Sequence, residues 1–146
     1  MAFKYGRGTR QTKVKQDAGK HAVFNERFSL TNISAEIQKD GALVLDAMEK
    51  DVASSDLLGS TKPIKWSYIC SFDGTVRHDV EIANAKGQKV GNVVFKTQFL
   101  WEDYKIPEAS SKLDKKSMLR VIVKSASFKK DADTFGKQDP FIQFKY

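Results

Sequence analysis

Hydrophobic and polar residues alternate along much of this chain with a period of two residues, the pattern of a strand with one buried and one exposed face. Gly, Asp, Lys and Ser residues separate the alternating runs, as turns between strands require. Helical periodicity is weak, and a short helix is expected only over 34–39. The pattern predicts an all-β, antiparallel sandwich or barrel. The predicted strands are 9–15, 23–30, 42–48, 75–82, 93–99, 119–126 and 140–144.

One polar stretch interrupts this pattern. Residues 105–117 contain no large aromatic side chain, which is typical of a linker, and we place that linker at 106–117. The segment that follows, 118–146, is too short to bury a core by itself. It must therefore pack on 1–104 or on a second molecule. We expect residues 1–146 to form a single domain, as a length of 146 residues favours.

Composition narrows the cellular setting and the class of partner. Lys and Arg number 25 against 18 Asp and Glu, so the net charge of +7 favours an anionic partner: nucleic acid, a phospholipid surface or an acidic protein. The alternative is that the charge only provides solubility. A single cysteine excludes an internal disulfide framework, and the first residues do not resemble a signal peptide, so a cytoplasmic location is expected. No apolar run approaches about 18 residues, which argues against a transmembrane helix.

Asp133 and Asp139 bracket Gly136 in the connection between two predicted strands, and Asp139 begins an Asp-Pro-Phe sequence. This arrangement resembles the first calcium loop of C2 domains. Three further segments resemble other parts of the same family: the strand with an Asn-Glu-x-Phe sequence, the third calcium loop and the closing glycine hairpin. They are 19–28, 43–59 and 87–95. Each motif alone is weak, but the combination of the four is specific.

The order of these motifs differs from the order in C2 domains. Placing 118–146 before 5–105 restores the family's order, and Met118 stands where an initiator methionine would be. The sequence Phe-Lys-Tyr also occurs near both ends of the chain. The resemblance therefore implies an eight-stranded antiparallel β-sandwich with permuted strand order, from an engineered or a natural circular permutation. A fragment of a tandem array, carrying the start of a following C2 domain, is the alternative.

The resemblance also implies a calcium site between two acidic loops at one end of the sandwich. Asp133 and Asp139 would come from one loop, and Glu49, Asp51 and Asp56 from the other. Ca²⁺ binds six to eight oxygen ligands, and carboxylates this close repel one another unless a cation lies between them. Glu49 replaces the family's usual aspartate, and the spacing from Asp51 to Asp56 is one residue shorter than in the common form of the family. These two departures leave the number of ions open. The alternative is that these residues are ordinary turn formers.

A second set of residues is expected to contact lipid. Three of its lysines fall on the calcium-loop side, where they could meet phosphate groups, and Phe135 could insert into the membrane interface or pack on the core. Lys13 and Lys15 share one face of a predicted strand. They form either a patch for anionic headgroups, at about 1 kcal/mol for each charge, or a solvated edge strand. The candidate lipid-binding residues are Phe135, Lys137, Lys50, Lys20, Lys13 and Lys15.

Together these features predict calcium-dependent binding of anionic phospholipid membranes by a cytoplasmic, peripheral membrane protein. The alternative is a calcium-independent, C2-like protein-interaction module with a protein partner. No nucleophile elbow, phosphate-binding loop or dinucleotide fingerprint is present, so an enzyme is not expected. Nucleic-acid binding is disfavoured because aromatic and basic residues are not interleaved as in single-strand binders. The chain is expected to be a monomer or a strand-swapped dimer.

Overall fold

A computed structural model of the chain describes residues 9–31, 41–51, 53–70, 74–101, 117–129 and 138–145. These residues form nine strands and one short helix. In these ranges no helix combines the length and the apolar composition that crossing a membrane requires. The elements are β1 (Thr9–Gln11), β2 (His21–Thr31), β3 (Ala42–Lys50), β4 (Ser55–Ser60), β5 (Ile64–Lys65), α1 (Trp66–Cys70), β6 (Thr75–Ala83), β7 (Lys89–Trp101), β8 (Ser117–Phe128) and β9 (Pro140–Lys145).

The strands form one antiparallel sheet in the order β1-β9-β3-β4-β6-β7-β8-β2, with β5 paired to the start of β3. The pairing between β4 and β6 is limited to Ser60 and Ala83, whereas β7 pairs along most of its length with both β6 and β8. The sheet therefore divides at this point into two halves of four strands, β1-β9-β3-β4 and β6-β7-β8-β2.

The two outer strands of this order, β1 and β2, lie close to each other, so the sheet nearly closes into a barrel. The Arg10 Nη2 atom donates to the Ser29 carbonyl oxygen at 3.4 Å. Across the same seam, Phe28 and Phe144 pack edge to face with ring centroids 5.0 Å apart. Side chains thus cover a gap in the sheet that no backbone ladder spans.

The core lies between the two halves and is built from alternate residues of the strands. On β7, Val93 and Phe95 are fully buried while Val94 and Lys96 between them are partly exposed. Trp66 of α1 is also fully buried and belongs to the same core. Each such side chain contributes about 1.5–3 kcal/mol of hydrophobic stabilisation, which explains why period-two alternation predicts these strands.

The prediction of an all-β, antiparallel fold is confirmed, and every predicted strand overlaps an observed one. The segment 9–15 is only partly a strand: β1 ends at Gln11, although the amides of Thr12 and Lys15 still donate to carbonyl oxygens of β9. Strands β4 and β5 and helix α1 were not predicted. The predicted helix over 34–39 lies outside the described residues, as does the predicted linker except for its last residue, which begins β8.

Candidate functional site

Four connections between strands meet at one end of the sheet. The amide of Lys50, at the end of β3, donates to the Asp139 carbonyl oxygen just before β9, at 2.9 Å. The amide of Gly19, from the β1–β2 connection, donates to the Gln138 carbonyl oxygen at 3.1 Å. The amide of Lys129, just after β8, donates at 2.9 Å to the carbonyl oxygen of Val90, the second residue of β7, and so lies next to the β6–β7 connection. Residues far apart in sequence are therefore neighbours here.

Asp139 occupies a central position at this end. Its Oδ1 atom accepts a hydrogen bond of 2.7 Å from the backbone amide of Asp17. A backbone donor of this kind fixes the orientation of the carboxylate. Both Asp139 and the Asp17 loop thus present acidic groups beside the end of β3. We define the acid end as the carboxylates that these connections and strand ends bring to one edge: Asp17, Glu49, Asp51, Asp56 and Asp139.

The β3–β4 hairpin contributes three of these acids. Glu49 and Asp56 are directly paired across the two strands, and on its other side Glu49 is paired with Pro140 of β9. Directly opposed residues have Cβ atoms about 4.5–5.5 Å apart, so two like charges here destabilise the sheet unless a counter-charge is near. Asp51 lies in the turn, where its amide donates to the Ser54 carbonyl oxygen at 2.8 Å. Asp56 was expected in a loop and is instead the second residue of β4.

A set of hydrogen bonds clamps the β1–β2 connection onto the residues before β9. Gln138 is fully buried, and its Nε2 atom donates to the Gly19 carbonyl oxygen at 2.6 Å. The amide of Lys15 donates to the Pro140 carbonyl oxygen at 3.0 Å, and the amide of Phe128 donates to the Lys20 carbonyl oxygen at 2.7 Å. The clamp therefore holds both flanks of the connection that contains Asp133. Asp139 is presented on a fixed backbone.

Sequence reasoning missed two residues at this end. Asp17 has a positive φ of 54°, a conformation that Asp adopts more readily than most residues, and it lies in a turn just before Gly19. That Asp-Ala-Gly sequence is a turn signal, but nothing local shows that the turn contacts Asp139. Gln138 gives no sequence signal, because a fully buried glutamine depends on a partner 119 residues away.

The candidate lipid-binding lysines that the structure describes lie at or near the acid end. Lys20 and Lys50 are exposed, and both have backbone hydrogen bonds to residues that flank the β8–β9 connection. Lys13 is exposed and Lys15 is half-buried, and both lie beyond the end of β1 rather than within a strand. Phe135, Lys137 and Asp133 lie outside the described residues.

The donors at the acid end have the chemistry of a calcium site, since hard carboxylate oxygens are the ligands that Ca²⁺ prefers. The backbones of Glu49, Asp51, Asp56 and Asp139 lie at the same end of the sheet, and a site shared by their carboxylates stays a prediction. Among the residues that the structure describes, however, no group of three or more His, Cys, Asp or Glu is arranged to hold a metal ion. The described residues therefore do not form a calcium site by themselves.

A cavity of about 360 Å³ adjoins this end on the side of the β6–β7 turn. Leu58, Val90 and Phe128 form its apolar wall, whereas Lys129 and Gln138 are among its polar lining residues. Gln138 thus belongs both to the clamp and to the cavity wall. A change at Gln138 would alter both features at once.

Comparisons of the chain with protein-family models, with curated proteins and with solved structures found no match. The resemblance to C2 domains therefore depends on the motifs in the sequence alone.

Proposed function

We propose that the protein binds anionic phospholipid membranes in a calcium-dependent manner through the acid end of a C2-like β-sandwich. The observation that carries this proposal is that the β3–β4 hairpin, with Glu49, Asp51 and Asp56, lies beside the backbone of Asp139. Asp133 belongs to the connection whose flanks the clamp holds, and it would complete the ligand set. The protein would act as a peripheral membrane module of the cytoplasm rather than as an enzyme.

The strand order supports the C2-like, permuted architecture. Strand β8 lies between β7 and β2, and β9 lies between β1 and β3, so the segment after the proposed linker is central to both halves of the sheet. An added fragment of another domain would be expected at an edge. We therefore interpret the two halves of four strands as the two sheets of an eight-stranded sandwich, with β8 and β9 as its original first strands.

The negative charge of the acid end supports a role for calcium in membrane binding. The opposed carboxylates of Glu49 and Asp56 and the nearby Asp51 form an anionic end that repels lipid phosphate groups. A bound Ca²⁺ would neutralise these carboxylates and offer its remaining coordination positions to phosphate oxygens. Lys20 and Lys50, both exposed, lie where they would then meet the same headgroups. Calcium would therefore convert a repulsive end into an attractive one.

The test is thermal unfolding in a calcium titration, combined with vesicle sedimentation. A ligand that binds only the folded state raises its stability, by about 2.7 kcal/mol at 100 times the Kd. We expect Ca²⁺ to raise the Tm more than Mg²⁺, which loses its water ligands reluctantly. Asp139→Asn and Asp51→Asn should remove both the Tm shift and calcium-dependent sedimentation with phosphatidylserine vesicles, without unfolding the protein.

The matched control is Asp79→Asn, which removes an exposed carboxylate from the middle of β6. It should leave both responses to calcium intact. A Tm that does not change across the calcium titration would contradict the metal site. Calcium-dependent sedimentation that survives both acid-end variants would contradict the residue assignment. A calcium-insensitive protein that still folds would favour the alternative, a C2-like protein-interaction module.

A further inference from the structure

The half-sheet β6-β7-β8-β2 has a second charged region, on the face turned away from the core. Arg77 of β6 is directly paired with Lys96 of β7. Lys96 and Arg27 are paired with Ile122 of β8 from its two sides, so these residues form one row across four strands. Arg120 lies on the same face of β8, two residues before Ile122. We define the basic face as Arg27, Arg77, Lys96, Arg120 and Lys124.

The spacing of these cations follows from the sheet. Neighbouring strands are about 4.8 Å apart, so the Cα atoms of Arg77 and Arg27 are about 14 Å apart along the row. The row of Arg120 lies about 7 Å from it along the strands. Arg10 of β1, which reaches across the seam to Ser29, extends the positive charge beyond β2. The cations thus cover an area rather than follow a single line.

The two acidic residues on the outer face of β6 both have other partners. Asp79 accepts a hydrogen bond of 3.0 Å from the Nδ2 atom of Asn92, and Glu81 pairs with Lys89 at 3.5 Å. Both acids lie toward the acid end. Within the described residues, ion pairs involve Lys89 and Lys145 but none of the basic face.

The guanidinium of Arg120 also lacks a full set of acceptors. Its Nη1 atom donates to Gln98 Oε1 at 3.4 Å, a long hydrogen bond. Its Nε atom is buried and has no hydrogen-bond partner among the described residues. Most buried polar groups in folded proteins have a partner, so the guanidinium of Arg120 keeps donor capacity that no described residue fills.

The side chains around the cations indicate which anion. The described outer face carries no Phe, Tyr or Trp, whereas single-stranded nucleic acids stack on aromatic side chains and protein interfaces are enriched in Tyr and Trp. It carries aliphatic residues instead: Ile122 and Val94 are partly exposed and Val23 is 52% exposed. Cations interspersed with aliphatic groups over a broad sheet face match the phosphates of a bilayer surface.

We propose that the basic face binds the surface of an anionic phospholipid bilayer without calcium. This surface is distinct from the acid end, because its row crosses β6, β7, β8 and β2, and none of these strands carries a residue of the acid end. It does not require the calcium site to exist. Binding would be electrostatic and would weaken as salt screens the charges.

The test uses the full-length chain and vesicles of phosphatidylcholine and phosphatidylserine in equal parts, with a calcium chelator present. Loss of one cation near such a surface weakens binding about fivefold, so Arg77→Gln combined with Lys96→Gln should weaken it about thirtyfold. The matched control is Lys62→Gln combined with Lys65→Gln, which removes the same charge from exposed positions around β5. We expect the control to bind like the unmodified protein.

Each other outcome of this test bears on the proposal. Equal weakening by the two double variants would overturn it, because net charge alone would then explain binding. Unchanged vesicle binding together with loss of binding to a single-stranded oligonucleotide would assign the face to nucleic acid instead. Asp139→Asn should leave chelator-resistant binding intact, so failure of the calcium site and failure of the basic face are separable. The Tm of each variant verifies that it is folded.

Discussion

The acid end and the basic face each contain a pair of like charges directly opposed across two strands. The pair is Glu49 and Asp56 at the acid end, and Arg77 and Lys96 on the basic face. Directly opposed like charges destabilise a sheet, by an amount comparable to the 0.2–1 kcal/mol that favourable pairs contribute. The two regions therefore share one arrangement of opposed like charges, with opposite signs.

The two regions differ in what holds their charges. The acid end depends on the clamp, in which backbone groups of one connection bind those of another far away in sequence. The basic face depends only on the register of β6, β7, β8 and β2. A change in a connection should therefore affect one region alone, and a change in the sheet ladder should affect both.

The largest expected effect comes from Gly91→Ala, which should damage both regions. A Cβ atom at this position would lie 2.0 Å from the Ser127 carbonyl oxygen, so strand β8 would have to move. Strand β7 bears Lys96, and its partner β8 leads directly to the acid end. We expect the free energy of unfolding in urea to fall by more than about 3 kcal/mol.

Gly87→Ala is the matched control for this variant. A Cβ atom there would meet nothing within 4 Å, and the cost arises only from its positive φ of 79°, at about 1 kcal/mol. Similar losses of stability for the two variants would show that the β7–β8 ladder adapts to the added methyl group. A change in the β7–β8 ladder would then not affect the acid end and the basic face together, although the strand register predicts that it should.

A smaller effect, confined to one region, is expected for Gln138→Ala. The change removes a fully buried amide and its 2.6 Å hydrogen bond to the Gly19 carbonyl oxygen, which should cost about 2 kcal/mol in unfolding experiments. The response to calcium should weaken, whereas chelator-resistant binding to anionic vesicles should remain. Gln16→Ala, at an exposed position of the same connection, should change neither property. Equal loss of both kinds of binding would mean that the clamp also supports the basic face.

The basic face could be predicted more fully from sequence than the acid end could. Alternation along 75–82 and 93–99 predicts which side chains point outward, and so puts Arg77 and Lys96 on outer faces. Alternation does not give the strand order, which is needed to bring these two residues together. That order depends on pairing between segments distant in sequence.

The acid end was predicted only as far as the family resemblance reached. Its motifs indicated Glu49, Asp51, Asp56 and Asp139, which the structure brings to one end. Strand β4 was missed because it is short and exposes Leu57, at 59%, so burial does not alternate along it. The clamp was missed because hydrogen bonds between irregular connections leave no periodic signal.

Acidification should weaken the half-sheet that bears the basic face. His78 is buried between Arg77 and Asp79 on β6, with its ring stacked on Phe95 and its Nε2 atom hydrogen-bonded to Thr97 at 2.8 Å. Burial removes water from the imidazolium form and so holds the pKa of His78 below its ordinary value of 6.5. The folded state therefore binds this proton less readily than the unfolded state does.

Stability from this group should be complete above the unfolded pKa of 6.5 and should decrease as the pH falls through that value toward the folded pKa. The measurement is the urea midpoint between about pH 8 and pH 5. His78→Gln, which cannot titrate, should show a shallower decrease over this range. Identical pH profiles for the variant and the unmodified protein would contradict a role for His78.

The smallest expected effects come from reversing one charge in each opposed pair, and they compare the two regions most directly. Asp56→Lys puts an ammonium group opposite Glu49, and Arg77→Glu puts a carboxylate opposite Lys96. Each change should raise the free energy of unfolding by about 0.5 kcal/mol at low salt. At about 1 M salt the Debye length is ~3 Å, and both gains should largely disappear.

The same variants should lose binding, each in its own region. Asp56→Lys should lose the stabilisation by calcium and keep chelator-resistant binding to anionic vesicles, and Arg77→Glu should do the reverse. If a charge is present in order to bind a ligand, its reversal should increase the stability of the protein and weaken binding of that ligand. If either variant became more stable and bound as before, its like-charge pair would be only an unfavourable contact, and the argument for a bound counter-ion there would fail.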